Sequence, residues 1–232
     1  MMKHGLILFS VFSAVALRAD LVIEQQFANT NGNSHASLKV RGDKMRMDQW
    51  DAHSNVFSVI IDMETRDSYT LMPRTKSYRK RSGADIRQLI QSRDRNDEII
   101  QPPARAVDTG RSEKVGDHDA KIFTWSGAEG RIETMWVATN FPNFEIIRKD
   151  LARIDEFDAT GPHPNAQPAL SLLPGMVIKS ELTAKGKSFG VVSLLSVREE
   201  PLDASLFELP RDYVPWKPSF PAATNTTAAP VK

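Results

Sequence analysis

Apolar side chains recur at every second position through most of the stretch from Leu21 to Val197, and no other feature limits the fold of this chain so strongly. Leu21, Ile23 and Phe27 alternate with Glu24 and Gln26. Leu38 and Val40 alternate with Lys39 and Arg41, and Met45 and Met47 with Lys44, Arg46 and Asp48. Successive strand side chains point to opposite faces, so this rhythm predicts strands with one covered and one wetter face. The apolar positions pass from even to odd numbers across Gly42-Asp43, as a tight turn or a bulge produces. Val56 to Ile61 is apolar on both faces, the pattern of a strand covered on both sides. Asp67–Met72 and Ser77–Lys80 flank Pro73-Arg-Thr-Lys76, a predicted hairpin turn, and the whole reads as a meander of short antiparallel strands.

Two segments break the rhythm. Ile86, Leu89 and Ile90 stand at helical spacing behind Ser82 and Asp85, which match a capping box. Phe144, Ile147, Leu151 and Ile154 make one apolar stripe after Asn143, with Glu145, Arg148, Lys149, Arg153 and Asp155 mostly outside it. Strands resume at Ser112–Val115, Lys121–Trp125 and Arg131–Ala138. After an irregular, Pro-rich stretch, Met176–Ala184 and Ser188–Val197 form a hairpin across Lys185-Gly-Lys187. About eleven strands with two helical insertions predict an α+β, mainly antiparallel domain. The expected form is one strongly curved sheet with the two helices over its concave face; two separate domains are the weaker alternative.

The ends carry a different grammar. Met1-Met2-Lys3-His4 is a short basic start and Gly5 to Leu17 an apolar run of 13 residues. Ala14-Val-Ala16 and Leu17-Arg-Ala19 are competing cleavage triplets, of which cleavage after Ala19 is preferred because Asp20 starts a strand-like pattern. Residues 1–19 therefore read as a cleavable secretory signal, too short to span a bilayer core that needs about 20 residues. The chain has no cysteine, so no lipid-bearing cysteine follows the signal and no disulfide is available. Residues 20–214 are expected to form a single domain, with 215–232 a disordered Pro/Ala/Thr-rich tail. The expected location is the periplasm or the medium, without a transmembrane anchor. With 30 Lys+Arg against 29 Asp+Glu the net charge is +1, and loss of Lys3 and Arg18 with the signal makes it −1. That balance gives no electrostatic case for nucleic acid.

The sequence resembles a known family in the order of its parts. Gly42-Asp-Lys-Met-Arg-Met-Asp48 is followed by Ile60-Ile-Asp62, Tyr69-Thr-Leu-Met-Pro73, Lys76-Ser-Tyr78, a turn at Gly116, and Met135-Trp-Val-Ala138. The chain closes with Leu202-Asp-Ala-Ser-Leu-Phe-Glu-Leu-Pro-Arg-Asp-Tyr213, whose Leu-Phe-x-x-Pro-x-x-Tyr pattern is the most specific part. Over roughly residues 20–214 this resembles exported bacterial domains of unknown function related to the LolA/LolB-like lipoprotein carriers. The resemblance implies an incomplete, highly curved half-barrel with helices in its mouth and an apolar cavity. It implies no activity. The chain departs from the carriers in lacking an anchoring cysteine and in a longer insertion at 144–174.

Catalytic and metal chemistry find little purchase. The histidines 4, 35, 53, 118 and 163 lack the spacing of a helical zinc pair. Asp117-His118-Asp119 reads as a solvated turn before it reads as a metal corner, and Asp94–Glu98 lacks the central Gly and distal Glu of a calcium loop. No serine sits in a Gly-x-Ser-x-Gly or Ser-x-x-Lys context, and no glycine-rich phosphate loop exists. No catalytic residue, metal or cofactor is expected. Flexible, polarizable methionines suit an adaptable apolar pocket, and Met45, Met47, Met72, Met135 and Met176 with Trp136, Ile147 and Leu151 are its candidate lining. The competing view is that they fill the core between sheet and helices. Arg74, Lys76, Arg79, Lys80 and Arg81 form a basic cluster at a hairpin end, either a solvated hairpin or a site for lipid headgroups or an acidic partner. The first functional expectation is a non-catalytic carrier of a lipid or acyl chain. The second is an envelope module that binds a protein partner through its rim or tail, and the third a hydrolase with an unrecognised site.

Overall fold

The computed structural model describes residues 20–30, 32–51, 54–85, 88, 105–127, 130–159 and 168–217. The expected signal segment, the apolar residues 86, 89 and 90, the Asp94–Glu98 stretch and the tail from 218 lie outside them.

The first half is a six-strand meander: β1 (Asp20–Asn29), β2 (Gly32–Arg41), β3 (Lys44–Trp50), β4 (Asn55–Asp62), β5 (Ser68–Met72) and β6 (Ser77–Arg81). A first helix, α1, follows, with described residues 83–85 and 88. Its start is the capping box expected from sequence: the Asp85 amide donates to Ser82 Oγ at 3.1 Å and the Ser82 amide to Asp85 Oδ2 at 3.3 Å. Then come β7 (Val107–Val115), β8 (His118–Ser126), β9 (Arg131–Ala138), the helix α2 (Phe144–Ala159), β10 (Met176–Ala184), β11 (Lys187–Glu200) and β12 (Val214–Pro215).

All twelve strands join one open sheet in the order β12-β6-β5-β4-β3-β2-β1-β11-β10-β9-β8-β7. Neighbours are antiparallel except β12, which runs parallel to β6. The first strand and the long late strand meet near the centre, where β11 returns to pair with β1 from Asp20↔Glu200 onward. The switch of apolar parity at residue 42 is a two-residue hairpin: Arg41 pairs with Lys44, and Gly42 takes φ +54°, a value that favours glycine.

Val214–Pro215 forms the edge strand β12 and the Trp216 amide donates to the Tyr78 carbonyl at 2.7 Å, so the first residues of the expected tail are tied to the sheet, while those from 218 lie outside the described residues. A two-residue strand that ends in Pro215 carries too little alternation to be read from sequence.

Two apolar clusters hold the sheet. In the larger, Phe144, Ile147 and Leu151 of α2 pack with Leu21, Val40 and Met45 from one half and with Ile122, Trp136 and Met176 from the other. The smaller gathers Phe123, Trp125, Met135, Val137 and Leu173. Odd and even positions of β9 divide between the two clusters, so this strand is covered on both faces.

Candidate functional site

The β1–β6 meander places its side chains in rows across the strands. Direct partners give Ile23–Leu38–Met47–Val59–Thr70–Arg79 as one row and Leu21–Val40–Met45–Ile61–Ser68–Arg81 as the next on the same face. Helix α2 closes only part of this face. Leu21, Val40 and Met45 are buried with Ile147 and Leu151, whereas Leu38, Met47, Phe57 and Val59 remain half-buried. Arg153 of α2 forms an ion pair with Asp43 in the β2–β3 turn, which fixes the helix over that end of the sheet.

The eight residues expected to line an apolar pocket fall in three places. Met45, Trp136, Met176, Ile147 and Leu151 meet in the larger cluster, where each is at most 7% exposed. Met135 points to the other face of β9 and joins Phe123 and Trp125. Met47 and Met72 are half-buried and belong to neither cluster, on the face continuing beyond α2. Neighbouring positions on a strand cannot share a face, which separates Met135 from Trp136. Trp136 is further held by a bond from its Nε1 to Glu113 at 2.9 Å and by Lys179, 4.1 Å from its ring centroid.

The basic cluster also resolves residue by residue. Arg74 pairs with Asp51, Lys76 with Asp212 at 2.8 Å, and Lys80 with Asp67 at 3.0 Å. These bonds raise the affinity of both lysines for their protons; the hydrogen bond each donates to its carboxylate partner is the chief cause. Arg79 and Arg81 are exposed, and neither makes a side-chain hydrogen bond or ion pair among the described residues. They end the two rows described above.

The opposite face of the meander holds a network that sequence reasoning missed. Asp48, 3% exposed, accepts from Lys39 Nζ at 2.9 Å and from Arg46 Nε at 2.8 Å. Burial alone raises the Asp48 carboxyl; bonds from Ser58 and Lys39 and the charge of Arg46 outweigh it and hold the group below the usual carboxylate range. Arg46 also donates to the Leu206 carbonyl and Arg41 to the Leu202 carbonyl, both at 2.8 Å. The chain after β11 therefore straps across this face. Asp203 caps the turn 204–207 by accepting from the Ser205 amide, Phe207 is buried, and the Tyr213 amide returns to the Pro210 carbonyl. The Leu-Phe-x-x-Pro-x-x-Tyr pattern is thus the strap, and the charged residues alternating with the apolar ones are its anchor. Lys39, Arg46 and Asp48 have the chemistry of the wetter strand face, and the element that covers them lies some 160 residues away.

His118 opens β8 beside Phe141, with exposed Asp117 and Asp119 flanking it. No group of three metal-ligating side chains occurs among the described residues. No helix among them is long and apolar enough to cross a membrane.

An open, mostly antiparallel sheet with one face part-covered by a helix and the other strapped by the C-terminal segment defines an α+β domain. The chain belongs to the DUF4412 family of domains of unknown function, whose pattern matches residues 21–213. No curated protein matches it. Among solved structures, an uncharacterized conserved protein from Thermus thermophilus is similar in fold, with a TM-score of 0.52 and 9% identity over 85% of this chain and 90% of that one. PNGF-II aligns at a TM-score of 0.41 and 15% identity over 87% of this chain and 31% of that one. A DUF1329 family protein from Desulfovibrio piger ATCC 29098 aligns at 0.32 and 14%, over 83% and 91%. The likeness to the Thermus protein concerns the fold alone, and the two weaker alignments carry no further weight.

Proposed function

We propose that this domain is an exported, non-catalytic carrier that holds a lipid or acyl chain against the β2–β5 face beyond α2. The observation that supports it is the half-buried row Leu38–Met47–Val59 with Met72 nearby, continuous with the packed core yet left partly open by α2. Each methylene that such a face takes from water contributes about 0.8 kcal/mol, so a partly enclosed chain binds usefully. The export signal read in residues 1–19 and the resemblance to the LolA/LolB-like carriers point the same way. Native mass spectrometry of the protein, purified without detergent, tests it. A co-purifying amphiphile of acyl-chain mass is expected, and a ligand-free protein that also fails to take up added lipid would contradict it.

A second reading is an envelope module that binds a protein partner. Its support is the burial of Phe144, Ile147 and Leu151, which fills the end of the face where α2 sits. Cross-linking in cells separates the two, since this reading expects a protein adduct and no lipid.

A further inference from the structure

We infer that the ligand of this face is a phosphate-headed lipid, with Arg79 and Arg81 taking the head and the row from Leu38 to Val59 taking the chain; this rests on the carrier reading above. Leu38, Met47 and Val59 share their row with Thr70 and Arg79, and Arg81 ends the adjacent row on the same face. At about 4.8 Å per strand, the four steps from β2 to β6 span about 19 Å, a length suited to an extended acyl chain. The row is therefore apolar at one end and cationic at the other, as an anionic amphiphile requires.

The choice of these two cations is specific within the basic cluster. Arg74, Lys76 and Lys80 are each neutralised by an aspartate, and Lys80 lies in the opposite parity of β6. Arg79 and Arg81 keep their donors free among the described residues and stand two positions apart on one strand, about 6.8 Å in extended backbone. One guanidinium fork occupies both oxygens of a carboxylate, whereas a phosphate offers oxygens to two forks at once. Phosphate is accordingly the head that uses both arginines. Exposed arginines also leave the head in water, so only the chain is desolvated and no buried charge is created.

Calorimetric titration of the full chain tests this with three probes: a lysophosphatidate, the monoacylglycerol of the same chain length, and glycerol 3-phosphate. The lysophosphatidate is expected to bind about tenfold more tightly than the monoacylglycerol at low salt, with the ratio shrinking as salt rises. Glycerol 3-phosphate is expected to show no binding at millimolar concentration. In the double variant Arg79→Gln/Arg81→Gln the ratio should fall to within about twofold, while Lys80→Gln retains it; circular dichroism checks that both variants fold. Equal binding of the two lipids overturns the head site and leaves the carrier reading intact. Failure of both lipids to bind overturns both. Discrimination that survives the double variant, or glycerol 3-phosphate binding as tightly as the lysolipid, overturns the assignment as well.

Discussion

Arg46 joins the sheet to the strap: its Nη1 donates to the Leu206 carbonyl at 2.8 Å while its Nε donates to the buried Asp48 at 2.8 Å. Both groups are largely shielded, with 18% of the Arg46 side chain and 4% of the Asp48 side chain exposed. Removing Arg46 takes one of two cationic partners from the buried Asp48 and leaves the Leu206 carbonyl without its donor. Arg46→Met is expected to lower stability by about 2–4 kcal/mol, read as a lower urea midpoint at unchanged slope.

The same network sets an acid limit. Asp48 keeps its charge to lower pH when folded than when unfolded, because Ser58, Lys39 and Arg46 together overcome the cost of burial. An unfolded aspartate takes up its proton near about pH 3.9, so the unfolded state binds more protons in that range. Stability is therefore expected to be full at neutral pH and to fall as pH drops below about 4. In Asp48→Asn that part of the acid loss should be smaller, as urea titrations across pH 3–6 measure.

Phe207 is the buried residue of the strap turn, 8% exposed. Phe207→Ala is expected to cost about 3 kcal/mol. Because the Val214 amide bonds to the Lys76 carbonyl and the Trp216 amide to that of Tyr78, releasing the strap should speed exchange of these two amides before those of β1. Hydrogen exchange by NMR reads both effects.

Gly175, just before β10, lies against the backbone of Ala138, and a Cβ there would lie 2.1 Å from the Ala138 carbonyl oxygen. Backbone does not yield as a side-chain tip does. Gly175→Ala is expected to destabilise by about 1–3 kcal/mol or to loosen the β9–β10 pairing, visible as a lower thermal midpoint.

The two parts of the apolar face should respond differently to truncation. Leu151→Ala opens a void in the packed cluster and is expected to cost about 2–5 kcal/mol. Met47→Ala, at a half-buried position outside that cluster, should cost less than about 2 kcal/mol yet weaken lipid uptake. Urea unfolding and a lipid-binding assay on both variants check the contrast.

Most of the strands, the turn at Gly42, the capping box at Ser82 and the stripe on α2 were legible, because each depends on residues within a few positions of one another. The strap was not. Asp48, Ser37 and Ser58 look solvent-facing by their chemistry, and only the arrival of residues 202–207 buries the face they occupy. The candidate pocket was half legible: period two marks Met45 and Met47 as one face, but it cannot say how far along that face α2 reaches. Residue type alone puts Met135 with Trp136, but their side chains part to opposite faces of β9.

The carrier account is tested most directly by photolabelling with a diazirine-bearing acyl lipid, followed by peptide mapping. Adducts are predicted on peptides carrying Met47, Val59 and Met72, competed away by unlabelled lipid. Adducts confined to exposed Ile146 and Leu172 beside α2, or none at all, would contradict it.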